Sequence, residues 1–241
     1  MATEDVRPAG LRLEILPRTT LRLHAHAMLR DEIVSGRLRP GDKINEVHVS
    51  AAMGVSRGTL REAIRVLEQE GLLRSVPHRG TYVRRIDARE ARELQEVRLA
   101  LEMTAAVHDA RIWSTDVERF LVERYRSLEE TYYGSSTFLE RARADLAFHE
   151  AFVEATGNQI LLRTWRSLIG SITVMVLSVG EADMTQLQDP SAHRALLDAV
   201  ASRDAEEIRR TFTSHFEHGQ RVVERAMSRA PSDSAEERSE Q

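Results

Sequence analysis

The chain is 241 residues long, with 41 % hydrophobic residues, 30 % charged residues and a formal net charge of -4. That length suffices for one or two globular domains whose cores need no disulfide or metal staple. There is no cysteine, which excludes disulfide frameworks, thiolate-bound zinc, iron–sulfur ligation and cysteine nucleophiles together.

No apolar run reaches the ~18 residues of a membrane span. The greasiest stretch, Leu168–Val179, is interrupted by Gly170, Ser171, Thr173 and Ser178. The N-terminal stretch mixes Glu4, Asp5, Arg7, Arg12, Glu14 and Arg18, and so lacks the apolar centre of a signal peptide. The expectation is a soluble, cytoplasmic protein with no membrane partner.

The mild net charge conceals a division. Residues 11–86 carry 14 Arg/Lys against 8 Asp/Glu, whereas residues 87–241 carry 19 against 28. A basic front of +6 and an acidic back of -9 point to two modules with different partners.

The chain reads as a loose arm over 1–15, a first module over 16–86, a second over 87–228 and a tail over 229–241. Leu21, Ala25, Leu29 and Ile33 repeat at fourfold spacing, with Met28 beside them, predicting an amphipathic helix that stops before Gly36. Pro40-Gly41 is a turn. Asn45 can cap a short helix to Met53, closed by Gly54, and Ser56 can cap another over Arg57–Glu70. In that helix Leu60, Ala63, Ile64 and Leu67 form an apolar stripe, and Arg57, Arg61 and Arg65 lie opposite. Two short strands, Leu72–Ser75 and Thr81–Arg85, flank a tip of Pro77, His78, Arg79 and Gly80. Three short helices and a hairpin in this order make a winged helix-turn-helix of α+β class.

Helical periodicity dominates from Asp87 onward, predicting helices over 88–112, 116–133, 136–155, 159–178, 190–202 and 204–228. Asp87 with Glu90, Thr115 with Glu118 and Asp204 with Glu207 have capping-box spacing. Asp189-Pro190 is a cap followed by a proline at the first helical position. The second module is expected to be an all-α antiparallel bundle.

Two constellations carry chemistry. In the first, a helix turns through Gly54 into a capped helix whose polar face is free for a DNA major groove. Ser56, Thr59 and Arg57 sit where phosphate binds a helix start, Arg61 can reach base edges, and Arg65 reaches phosphate or packs. Arg79 and Gly80 at the wing tip suit the minor groove. The bland alternative is three arginines on a solvated face. Glu62 is expected to pair internally.

In the second, Asp145 and His149 are four residues apart on one helix, and His193 and His215 lie on two later ones. They can converge on a divalent metal and leave positions for a ligand. Equally, Asp145 and His149 could make a local hydrogen bond, with the other histidines unrelated.

The string from Pro40-Gly41 through Gly54-Val55-Ser56-Arg57-Gly58-Thr59-Leu60-Arg61-Glu62-Ala63, with Leu67-Glu68-Gln69-Glu70-Gly71-Leu72 and Arg79-Gly80-Thr81-Tyr82-Val83, resembles the GntR-type winged helix. The resemblance implies that Arg57 and Arg61 face the groove and Gly80 is the wing-tip glycine. Val47 stands where many relatives have arginine, which implies an altered half-site or a contact from His48. Asp145-Leu-Ala-Phe-His149, Gly157-Asn158, Ala192-His193 through Leu197, Asp204 and His215 resemble the FCD effector domain of the FadR branch. By that resemblance Asp145, His149, His193 and His215 hold a divalent metal, zinc first, with nickel, manganese or iron as alternatives. A small carboxylate effector binds there, and Arg98 approaches it.

His218 could orient a ligand, His108 is read as structural, and Trp165 and Phe152 as core or pocket wall. Ser171, Thr173 and Ser178 are candidate polar pocket contacts. A single recognition helix reads few bases, so a homodimer on a palindromic double-stranded operator is expected. The expected function is a repressor released from DNA by a small organic acid. A purely structural metal is the alternative. A metal-dependent hydrolase is the weaker rival, since Glu150 stands about 100° round the helix from His149 and no nucleophile elbow, phosphate loop or HExxH occurs.

Overall fold

The computed structural model describes residues 18–229. The arm expected over 1–15 and, beyond Arg229, the expected tail lie outside the described residues. The basic head comprises α1 (Arg18–Val34), β1 (Lys43–Ile44), α2 (Glu46–Ala52), α3 (Arg57–Gln69), β2 (Leu73–Val76) and β3 (Gly80–Val83). Ala25, Leu29 and Ile33 bury the fourfold stripe of α1. Met28, expected to join them, is 41 % exposed, because it stands about 100° round the helix from Leu29.

Asn45 caps α2 by accepting from His48 N, and Ser56 caps α3 by accepting from Thr59 N. Between them Gly54 takes φ +64°, the left-handed conformation that redirects the chain from one helix to the next. Leu60, Ala63, Ile64 and Leu67 of α3 are buried as their spacing requires, and α3 packs on α1.

The wing differs from expectation in two ways. Its strands sit closer to the tip on the second side, so Arg84 and Arg85 fall beyond β3. The strand β1 was not foreseen; it pairs Lys43 with Tyr82 and Ile44 with Thr81, giving a three-stranded antiparallel sheet of order β1-β3-β2. Two residues are too few for alternation to show in a sequence.

The acidic body is all helical: α4 (Ala88–Arg111), α5 (Thr115–Tyr133), α6 (Phe138–Ala155), α7 (Gln159–Arg166), α8 (Ile169–Val179), α9 (Glu181–Leu187), α10 (Pro190–Ser202) and α11 (Ala205–Arg229). The helix expected over 159–178 is two helices, parted by a turn at Ser167 and Leu168. By length and composition alone Gln159–Val179 is apolar enough to cross a membrane, contrary to the reading of the sequence. In the structure Leu162, Trp165, Ile172, Val174, Met175 and Val176 spend that apolarity inside the protein. The helix α9 was also not foreseen.

Caps differ in detail. Ser114, not Thr115, caps α5 by accepting from Val117 N. Asp87 caps α4, but the Glu90 side chain turns to Arg84 instead of closing a box. A full capping box forms at Thr137 and Glu140. Asp189 and Pro190 open α10 as expected.

Two cores result. One fills the body around Phe148, Phe152, Trp165 and Phe212. The other runs without a break from Leu29, Leu60 and Leu72 of the head into Ile172, Met175 and Val223 of the body. At that junction Gly170, in the first turn of α8, lies against the carbonyl of Glu70 at the end of α3, where a Cβ would have no room. Arg84 Nη1 donates to Ser171 Oγ beside it, at 2.8 Å.

Candidate functional site

The polar face of α3 is open to solvent. Arg57 is exposed and has no ion pair among the described residues. Arg61 Nε is 2.8 Å from Glu46 Oε2, and Arg65 Nη1 is 3.0 Å from Glu62 Oε1. The pairing of Glu62 is the internal one expected. The Ser56 and Thr59 hydroxyls lie 2.8 Å apart, so the helix start is partly occupied by its own cap. A groove separates α3 from the wing, lined by Arg61, Arg65, His78 and Gly80 among others. The tip turns through left-handed backbone, which glycine adopts freely at 80 and which is uncommon for the histidine at 78. His78 and Gly80 both take positive φ, 61° and 109°, and the Arg79 carbonyl accepts from Tyr82 Oη at 3.0 Å. Lys43, the sole lysine, stands over the Tyr82 ring at 5.7 Å. It adds charge to the wing that the sequence reading had not placed there. Val47 is 60 % exposed.

In the body, α6, α10 and α11 bring His149, His193 and His215 together. Their ring centroids are 5.0–5.3 Å apart pairwise, and one nitrogen from each lies within 4.8 Å of the others. Asp145 Oδ1 adjoins the cluster, 2.8 Å from His193 Nε2.

Two of the three imidazoles are oriented from behind. His149 Nδ1 is 2.6 Å from Glu102 Oε2, and His193 Nδ1 donates to the Asp189 carbonyl at 2.9 Å. A ring held through Nδ1 presents Nε2 to the cluster. His193 Nε2 is buried and, despite its nearness to Asp145, lacks hydrogen-bond alignment. Burial, reinforced by His149 and His193, pushes His215 well below the usual histidine range, which leaves it neutral with a free lone pair. Burial works against the Asp145 carboxylate, but the contact with His193 and nearby positive charge hold its carboxyl well below the usual range. Three converging imidazoles, one with a buried nitrogen that lacks a hydrogen-bond partner, beside an ionised carboxylate are a donor set that fits a divalent cation.

The residue that sequence reasoning missed is Glu102. It is fully buried and accepts from Trp165 Nε1 at 2.9 Å and Arg98 Nε at 3.2 Å, besides its bond to His149. Burial opposes its ionisation, and His149 and Arg98 more than offset this, so its carboxyl is held below the usual range. Arg98 Nη1 donates to Gln95 Oε1 at 3.1 Å, while Nη2 is buried without a partner. Arg98 lines a cavity of about 250 Å³ that also reaches Asp145, His149 and His215.

Other candidates fall elsewhere. His218 lines the same cavity. Ser171 is taken by Arg84, and the Thr173 and Ser178 hydroxyls donate to the Ile169 and Val174 carbonyls of their own helix, so none of the three faces the cavity. Backbone carbonyls one turn away outcompete the pocket for such hydroxyls. Trp165 and Phe152 are core. His108 is exposed, 3.8 Å from Asp109. Glu150 pairs with Arg166 at 2.6 Å.

Two family models match the chain: bacterial regulatory proteins of the gntR family over residues 21–83, and the FCD domain over residues 93–218. A protein of Paenarthrobacter nicotinovorans named "Probable D-xylose utilization operon transcriptional repressor" is 30 % identical over 200 residues, covering 83 % of this chain and 87 % of its own. The Nta operon transcriptional regulator of Aminobacter aminovorans is 38 % identical over 135 residues, which are 56 % of this chain and 63 % of that one. Among solved structures, a GntR transcriptional regulator from Rhodococcus sp. RHA1 superposes with a TM-score of 0.74 at 22 % identity, over 85 % of this chain and 97 % of that one. E. coli McbR/YncC does so with a TM-score of 0.66 at 18 % identity and the same coverage. These structural likenesses establish the fold.

Proposed function

Because the chain belongs to the gntR family of bacterial regulatory proteins and carries an FCD domain, we propose that it is a metabolite-responsive transcriptional repressor of the FadR branch. In this reading a cytoplasmic homodimer holds a palindromic operator through two heads and releases it when a small organic acid binds in the body. The family is one of regulators, not catalysts, and the chain is not an enzyme.

The observation that carries the reading is that α8 touches both sites. Its Ile172, Met175 and Val176 wall the cavity beside the histidines, and its Gly170 sits against the end of α3. A ligand that shifts α8 therefore acts on the helix that reads DNA. Such coupling requires the ligand to prefer one arrangement of the heads. The Paenarthrobacter relative is named a repressor, which favours repression as the direction.

Asp145, His149, His193 and His215 would hold the metal, zinc in our assignment. Bound there, the metal supplies a positive centre for a carboxylate. Glu102 keeps His149 in the ligating tautomer and fixes Arg98, whose free Nη2 is aimed at the effector's anionic end. On the head, Arg57 and the Ser56–Thr59 helix start take phosphate, Arg61 reads base edges, Arg65 supports phosphate contact, and Arg79 and Gly80 enter the minor groove.

The test uses the zinc-loaded full chain to select its operator from random-sequence DNA. Binding of the selected fragment is then followed by fluorescence anisotropy as small carboxylates are added. A palindromic site and acid-dependent release are expected. Selection of no preferred sequence, or no effect of any acid or of metal removal on binding, would overturn the proposal. A metal whose removal unfolds the body while no acid acts would mark it as structural.

A further inference from the structure

Arg61 and Arg65 stand about one turn apart on α3 and line the same groove toward the wing, yet they are held differently. Arg65 is held at the tip of its guanidinium, with Nη1 donating to Glu62 Oε1 at 3.0 Å. Arg61 is held at the base of its guanidinium. Its Nε donates to Glu46 Oε2 at 2.8 Å, and neither Nη has a hydrogen bond among the described residues. Glu46 opens α2, and its side chain is 21 % exposed against 58 % for Arg61. The other carboxylate lining the groove, Glu68, accepts from Ser75 N at 2.6 Å and is thereby committed to the wing.

A carboxylate on Nε fixes the direction of a guanidinium and leaves the two Nη groups free as a planar pair of donors. Such a pair matches the N7 and O6 acceptors of guanine in the major groove. Adenine presents one acceptor and one donor there, so it cannot receive both. An unheld arginine loses rotamer freedom when it binds, and one already oriented loses less. We propose that Glu46 is a positioning residue: from α2 it orients Arg61 on α3 for end-on recognition of guanine. The base preference at that place in the half-site then depends on both residues. This rests on the assignment of Arg61 to base edges and names the residue that makes Arg61 selective.

The full chain and Arg61→Ala each select sites from random-sequence DNA. The base pair whose preference disappears in Arg61→Ala is the one Arg61 reads, and G·C is expected there. Anisotropy then compares duplexes carrying G·C or A·T at that pair, and the parent chain should favour G·C about 5- to 150-fold. Glu46→Gln keeps the reach of the side chain and an oxygen for Nε, so this ratio should stay close to the parent's while binding to all DNA tightens. Glu46→Asp keeps the charge but draws the carboxylate back by one methylene, so the ratio should fall toward one with the unfolding temperature unchanged. Glu46→Ala should lose the ratio as Glu46→Asp does. A parental ratio in Glu46→Asp and Glu46→Ala overturns the inference and leaves Arg61 a reader in its own right. A ratio lost in Glu46→Gln but kept in Glu46→Asp also overturns it, since charge and not placement would then decide. An A·T pair at the place read by Arg61 does the same. If Arg61→Ala selects the same sites as the parent, the assignment of Arg61 to base edges fails as well.

Discussion

The carbonyl oxygen of Glu70 occupies the space that a side chain on Gly170 would need. The C-terminal end of α3 thereby meets the first turn of α8 backbone to backbone, with opposite partial charges of two helix dipoles face to face. Ser171, one residue on, receives Arg84 from the head, and Arg84 also contacts Glu90 of α4. Head and body are joined at the end of the helix that carries the arginine face.

Gly170→Ala forces these two backbones apart. Overpacking of this kind costs about 1–3 kcal/mol, so thermal unfolding should shift downward and operator affinity should fall. Gly180→Ala is unsuitable as a control because Gly180 has φ +83°. Gly58→Ala tests ordinary space instead, as its Cβ would meet only Ser56 Oγ at 3.7 Å. Equal stability of Gly170→Ala and the parent chain would show that the junction gives way.

Arg61→Ala should cost about 1–3 kcal/mol in specific operator binding without lowering the unfolding temperature. Its partner matters as well. Glu46 neutralises Arg61 in the free protein, so Glu46→Gln should raise affinity for non-cognate DNA and steepen its dependence on salt. Anisotropy titrations at several salt concentrations read both effects. An unchanged footprint for Arg61→Ala would reject its assignment to base edges.

His193→Ala should lower the metal bound per chain, measured by elemental analysis after dialysis. Glu102→Gln keeps the shape and removes the charge behind His149; it should weaken metal binding about ten- to hundredfold. Full metal affinity in Glu102→Gln would show that the tautomer of His149 is fixed otherwise.

Asp109 gives a pH signature. It is fully buried, neither of its carboxylate oxygens has a hydrogen-bond partner among the described residues, His108 is no nearer than 3.8 Å, and burial pushes its pKa up to about 8. An unfolded aspartate releases its proton near pH 3.9. Between these values the folded chain binds more protons, so stability falls as pH rises from about 4 to about 8 and then levels off. The loss should amount to a few kcal/mol at most. Asp109→Asn should flatten the profile, and urea midpoints at pH 5 and pH 8 for both proteins measure the difference. Parallel profiles would refute a protonated Asp109.

What the sequence made legible was whatever local spacing encodes. The face of Arg57, Arg61 and Arg65 follows from the cap at Ser56 and the apolar stripe opposite it. Asp145, His149, His193 and His215 were chosen by a resemblance, and the fold brings them together. Less visible were features that depend on what lies across the chain. Nothing at Ser167 and Leu168 signals a break, because neither residue is a helix terminator. Glu102 looks like any surface glutamate on a charged helix. A signal was available nonetheless: it stands four residues after Arg98 on a stripe continued by Ala105 and Ala106, where an ion pair would be buried.

Trp165 is one of two tryptophans in the chain. Its indole donates to the same carboxylate that grips His149 and Arg98. The emission of a fully buried indole depends on that hydrogen bond and on charge close by. Trp113, half-buried beyond the end of α4, has no bond to this carboxylate. The protein thus carries an optical probe at the back of its own histidine cluster. Filling the cluster or the cavity can be followed in untagged wild-type protein, in real time, while its grip on DNA is measured in the same cuvette.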